Sequence, residues 1–114
     1  STIYLKTASG GQIDLDIQTE KATATANSGG VINLKGTTFS FDAIVKSGSI
    51  VKAYELNSSQ TKVKASSGGS CKAYARDIFE ANASLGGSIE VYGDPKTFNQ
   101  VISLGGSIIE TNND

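Results

Sequence analysis

The sequence predicts an all-β fold: a single-stranded β-solenoid, a right-handed parallel β-helix, of about six coils on a repeat of ~19 residues. Three observations predict it. Glycines open a turn signal at Gly10, Gly29, Gly48, Gly68, Gly86 and Gly105, spaced by 19, 19, 20, 18 and 19 residues. The hexapeptide SLGGSI occurs twice, at Ser84–Ile89 and again at Ser103–Ile108. Between the turns, β-branched and small residues alternate with polar ones, as in GGQIDLDI and KATATANS, which is the period of a strand and not of a helix.

Each element of the coil follows from reading the repeats as columns. The corner comes first: five of the six marked glycines begin a Gly-Gly pair and the third reads Gly48-Ser49, as a tight turn of positive φ requires. A first strand follows. Its inward column holds Ile13, Ile32, Val51, Cys71, Ile89 and Ile108, with Leu15, Leu34, Ala53, Ala73 and Val91 two residues on, before Glu110 breaks the pattern. A second strand precedes the next corner, with Ile3, Ala22, Phe41, Thr61, Phe79 and Phe98 in one column and Ala26, Val45, Ala65, Ala83 and Ile102 in another. Matching columns mean that each coil lays its inward residues on those of its neighbour. Asn57–Gln60 and Gly93-Asp94-Pro95 mark a second, looser corner. With rungs about 4.8 Å apart the stack should rise on the order of 25 Å. A sandwich of short antiparallel strands would account for the strands but not for the columns. Residues 1–114 read as one solenoid domain; because both termini fall partway through a coil, it is expected to be a segment of a longer chain.

Composition limits the chemistry. Lys and Arg total 10 against 11 Asp and Glu, a net charge of −1, which argues against nucleic acid and against docking on an anionic membrane. No apolar stretch approaches the roughly 20 residues of a membrane helix, so no membrane insertion by this segment is expected. There is no histidine and only one cysteine, so the commonest general base, an intrachain disulfide and a thiolate zinc site are all missing. No metal or cofactor is expected. Cys71 sits in the Ile/Val column and reads as a small buried hydrophobe.

The outward columns of the first strand hold the candidate binding residues. Six places after the marked glycine stand Asp16, Lys35, Tyr54, Tyr74, Tyr92 and Thr111; four places after it stand Asp14, Asn33, Lys52, Lys72 and Glu90. Three tyrosines on successive coils should form a ladder about 4.8 Å apart. With Lys52, Lys72 and Glu90 beside them they make a flat strip that could stack on sugar rings and bond to hydroxyls. A purely structural aromatic ladder and a self-association face fit the same column. A polysaccharide-degrading enzyme would need carboxylates converging from neighbouring coils. Asp14 with Asp16, and Asp77 with Glu80, are the nearest approach, and neither pair converges. No Asp recurs as in a calcium-binding β-roll, and Thr23-Ala24-Thr25 does not recur as an ice-binding row would.

The stretch FEANASLGGSIEVYGDPKTFNQVISLGGSI, with Ser67-Gly68-Gly69, Tyr92-Gly93-Asp94-Pro95 and the Gly86–Ile89 and Gly105–Ile108 turns, resembles the head GIN domain family of secreted or auto-transporter adhesins of Bacteroidetes-type bacteria. The resemblance is clearest from Ala65 onward, and this chain is shorter than a typical member. It implies a β-helical fold and export, secreted or at the cell surface or in the periplasm. It carries no catalytic residue with it. The expectation is a non-catalytic, adhesin-like module that binds a glycan or another surface component through an outward strand face, or else a solenoid that self-associates as a homo-oligomer.

Overall fold

A computed structural model describes residues 2–93 and 95–111, the side chains of residues 110 and 111 excepted. Asp94 of the predicted loose corner and residues 112–114 lie outside the described residues. The strands are β1 (Thr2–Thr7), β2 (Gln12–Ala26), β3 (Val31–Val45), β4 (Ile50–Ala65), β5 (Ser70–Tyr74), β6 (Ile78–Ala83), β7 (Ser88–Tyr92), β8 (Thr97–Ile102) and β9 (Ser107–Thr111). Every pairing among them is parallel. The chain is a β-solenoid whose coils have two faces, a leading arm after each tight turn and a trailing arm before the next. On the leading arm the rung order is β2-β3-β4-β5-β7-β9; on the trailing arm β1 starts the stack and β6 and β8 continue it beyond β4. The molecule measures 29 × 28 × 22 Å, in line with the predicted rise.

The tight turns are built alike. In each, the residue before the marked glycine and the glycine itself both have positive φ: Ser67 at 53° and Gly68 at 78°, for example, with Leu85 and Leu104 at 50° in the two SLGGSI copies. The Gly69 N–H closes the turn on the Ser66 carbonyl at 2.9 Å. Two successive residues of positive φ define a type I′ turn. Neighbouring turns are then tied to one another, since the Gly10, Gly29, Gly48 and Gly68 N–H groups donate to the carbonyls of Ser28, Ser47, Ser67 and Leu85 at 3.1–3.2 Å. The two glycines of a pair have different reasons to be glycine. A Cβ on Gly68 would meet only the Gly48 nitrogen, at 4.0 Å, so this position needs glycine for its dihedral. A Cβ on Gly69 would lie 2.6 Å from the Val45 carbonyl oxygen of the rung below, so that position needs glycine for space. Ser49 occupies the same place in the third turn, fully buried, and its hydroxyl finds no hydrogen-bond partner.

Where two short strands per coil were expected, β2, β3 and β4 each run unbroken round the loose corner. Ladder pairing continues through it, Gln18 facing Thr37 and Thr37 facing Asn57. Gly36, at φ 121°, lets the bend approach the Ile17 carbonyl. The two later coils break there. Ala53 faces Ala73 and Gln60 faces Ile78, so Tyr54–Ser59 runs opposite only Tyr74–Asp77. The corner closes with the Arg76 side chain donating to Ser59 Oγ at 2.7 Å. Inside it, the hydroxyls of Ser58 and Thr61 contact each other and both reach the Tyr74 carbonyl, at 2.8 Å each. That carbonyl ends β5 and needs a donor, which explains why Thr61 interrupts a column of phenylalanines.

The 20-residue interval also has a cause. Asn33 faces Lys52 but Lys35 faces Glu55, so Leu34 stands opposite both Ala53 and Tyr54, a β-bulge on the fourth strand.

The core is thin and continuous. Ile32, Val51, Cys71 and Ile89 of the leading arm are buried against Phe41, Val63, Phe79 and the alanines of the trailing arm. Phe79 meets Phe98 edge-on, centroids 5.8 Å apart at 89°. Burying each large side chain of this kind stabilises the fold by about 1.5–3 kcal/mol. The Cys71 thiol is fully buried and desolvation pushes it well above its ordinary pKa. Exposed apolar residues gather on the last described coil, where Val101 is 56% and Leu104 74% exposed, with Ile102 and Ile109 beside them; Phe39, Tyr54 and Leu85 are exposed further down the stack.

Candidate functional site

Strand alternation decides which residues face outward on the leading arm. Val51 and Ala53 go to the core, so Lys52 and Tyr54 of β4 point to solvent. By the same rule Lys72 and Tyr74 of β5, and Glu90 and Tyr92 of β7, share that face. The register stacks Lys52 on Lys72 and Lys72 on Glu90. Lys72 Nζ lies 3.9 Å from Glu90 Oε2, and the Tyr92 hydroxyl donates to the same oxygen at 2.9 Å. That hydrogen bond raises the pKa of Tyr92, with desolvation adding to it.

The tyrosines do not form the even ladder that column counting predicts. The ring contact joins Tyr54 to Tyr92, centroids 5.3 Å apart and planes tilted by 30°, although Tyr74 lies on the rung between them. Tyr74 turns towards the loose corner: a Cβ on Gly93 would lie 2.9 Å from its Cε2. The bulge also moves Tyr54 out of the column, so that Lys35 faces Glu55 and not Tyr54. The result is one aromatic patch of two rings.

Beside the patch is a groove of about 250 Å³ lined by Asp14, Asn33, Lys35, Lys52, Tyr54 and Glu55, with Leu15 and Leu34 at its floor. Its far wall is held by side-chain amides. Asn33 Nδ2 donates to Asp14 Oδ1 at 2.6 Å, and Gln12 Nε2 reaches Asp14 Oδ2 at 3.4 Å. The strip therefore combines one exposed ring, Tyr54, one half-buried ring, Tyr92, ammonium donors, carboxylate acceptors and an amide.

The opposite face carries a second groove, of about 450 Å³, that the reading of the tyrosine column passed over. Thr23, Asp42, Lys62, Lys64, Glu80 and Asn82 line it. The register stacks Asp42 on Lys62 and Lys62 on Glu80, and Lys62 reaches Glu80 at 3.8 Å. Counting six residues back from each glycine gives this row of alternating charge, so the signal was present in the sequence.

Of the carboxylates weighed for catalysis, Asp14 and Asp16 both lie on β2, Asp14 accepting from Asn33 and Gln12, while Asp77 pairs with Lys96 at 3.9 Å and Glu80 with Lys62 at 3.8 Å. Among the described residues no three of His, Cys, Asp and Glu are grouped as a metal ion would need, and no helix is long and apolar enough to cross a membrane.

A family model described as "Putative auto-transporter adhesin, head GIN domain" matches residues 1–95. The chain belongs to this family. No curated protein and no solved structure matches it. The family is named for adhesion and not for a reaction, and its auto-transporter association points to the outside of the cell. All of Lys52, Tyr54, Lys72, Tyr74, Glu90 and Tyr92 fall inside the matched part of the GIN domain. Its last coil, β8 and β9, lies beyond the match yet stacks in the same register.

Proposed function

We propose that this GIN domain is a non-catalytic adhesive module, displayed outside the cell, that holds a glycan on the outward face of its leading arm. The observation that carries the reading is the Tyr54–Tyr92 ring pair at the edge of the Asn33–Lys52 groove. Exposed aromatic faces pack against the apolar face of a pyranose, and neighbouring Lys, Glu and Asn side chains supply donors and acceptors for its hydroxyls. Tyr54 is 42% exposed, so the ring is available without rearrangement. Glu90 positions Tyr92 through the hydroxyl bond, and Tyr74 supports the corner and makes no direct contact with the sugar.

The test is a glycan-array screen of the chain beside a Tyr54→Ala/Tyr92→Ala variant and a Tyr74→Ala variant, each checked for folding by circular dichroism. Binding that the double variant loses and the Tyr74 variant keeps supports the reading. Binding undiminished in the double variant, or absent from the wild type, refutes it.

A second reading is favoured by a separate observation, the exposed Val101, Ile102, Leu104 and Ile109 of the last described coil. Apolar side chains on an unpaired strand edge invite another strand, and a second copy of the chain would supply one as a homo-oligomer. Sedimentation over a range of concentrations tests it, with Val101→Lys predicted to abolish association. A monomer at every concentration removes this reading.

A further inference from the structure

We infer that the saccharide taken by the leading arm is an acidic one, its carboxylate or sulfate group held between Lys52 and Lys72 while its ring lies on Tyr54. This rests on the saccharide-binding reading above and names the ligand class.

The argument is one of charge along a single column. Reading up the rungs, the outward positions are Asp14, Asn33, Lys52, Lys72 and Glu90, each facing the next. Adjacent rungs are about 4.8 Å apart, so two lysines occupy directly opposed positions of the ladder, a like-charge pairing that destabilises a sheet. Every other charge on this face has an opposite charge or an amide beside it. Asp14 accepts from Gln12 and Asn33. Lys35 faces Glu55 across the rung. Glu90 takes both the Tyr92 hydroxyl and Lys72. Among the described residues of this face, Lys52 alone has no anion directly opposite it on either neighbouring rung: below it is the Asn33 amide, already turned to Asp14, and above it is Lys72. An anionic group seated there removes the repulsion between the two lysines and gains charge-assisted hydrogen bonds from them. A neutral sugar leaves the repulsion in place. Tyr54 follows Lys52 by two residues on the same face and at the same groove, so ring and anion can be held together by adjacent side chains.

Glu90 competes for Lys72 in this scheme. Removing its charge frees that lysine for the ligand.

The experiment compares matched probes by calorimetry at low and high salt. One pair is an oligogalacturonate and its methyl ester; the other is a heparin fragment and its desulfated form. The expected result is that at least one acidic probe binds about tenfold or more tightly than its uncharged or desulfated partner. Lys52→Gln should remove that preference, Lys52→Arg should keep it, Glu90→Gln should strengthen it, and added salt should weaken it. These residues are at the surface, and circular dichroism verifies that the variants fold. Equal affinity for both members of each pair, or a preference that survives Lys52→Gln, overturns the acidic assignment, while sensitivity to Tyr54→Ala would still leave the saccharide reading standing. No binding of any probe overturns the assignment. Failure on the full glycan array, neutral glycans included, is what would sink the broader reading.

Discussion

Substituting the second glycine of a corner should damage this fold more than substituting the first, although only the first has positive φ. In Gly68→Ala the new methyl group meets nothing closer than 4.0 Å, so the cost is that of an L-residue in the left-handed region, about 1 kcal/mol. In Gly69→Ala the methyl group arrives 2.6 Å from the Val45 carbonyl oxygen and 2.8 Å from its carbon. An unstrained contact needs about 3.5 Å, so one rung must move by roughly 0.9 Å relative to the next. The Val45 carbonyl is not free to yield, because it accepts the Ser66 N–H at 2.9 Å. Overpacking costs about 1–3 kcal/mol and a weakened ladder bond about 1 more, so Gly69→Ala should cost about 2–4 kcal/mol. That is a large share of the 5–15 kcal/mol that holds a typical domain. Urea denaturation followed by far-ultraviolet circular dichroism gives both values from the midpoints, provided the slopes agree. Equal losses for the two variants, or a larger loss for Gly68→Ala, would refute the division of the pair into one glycine kept for its dihedral and one kept for space.

Ser49→Ala should stabilise the chain by about 1 kcal/mol, since it removes a buried hydroxyl without a partner and keeps the Cβ that the site already accommodates; the same denaturation experiment measures it. Leu85→Asn should raise stability by about 0.5–1 kcal/mol, because an exposed leucine at φ 50° is strained and asparagine tolerates that conformation better; a lowered urea midpoint would contradict it. Tyr92 should ionise above the ordinary tyrosine range in a spectrophotometric titration, and Glu90→Gln should bring its ionisation down. Because the folded value is raised above the ordinary tyrosine value of about 10, the stability that this hydroxyl bond contributes is complete below about pH 10 and is lost as pH rises through the raised value.

The coil architecture was legible because it is periodic. Six glycines and four apolar columns repeat at an interval of 18–20 residues, and parallel in-register stacking is the arrangement that makes such columns meaningful. What the columns could not show were the places where the period slips. The extra residue between Gly48 and Gly68 could fall anywhere in that coil; the structure puts it at Ala53–Tyr54, and that shift sends Tyr54 to meet Tyr92 in place of Tyr74. The uninterrupted β2, β3 and β4 were also hidden, since polar residues such as Gln18 and Thr37 read as a loose corner while their backbones continue the ladder. At the candidate site the residue types were readable and their partners were not. That Glu90 serves both Lys72 and Tyr92, leaving Lys52 unmatched, depends on side-chain direction as well as on column.

The stack also has a mechanical meaning. β1 lies at one edge of the strand order and β9 at the other, so tension applied through the two ends of the chain draws the rungs apart along the direction of their hydrogen bonds. Such bonds then fail in sequence, a few at a time from an exposed edge, and are not sheared together. Each 19-residue coil that peels away would pay out roughly 65 Å of extended chain. In an optical trap the expected record is a train of small, evenly spaced steps at low force, and a single large rupture would contradict it. In the adhesive role proposed above, a domain that yields gradually under load and refolds when the load falls would release its hold slowly and not all at once.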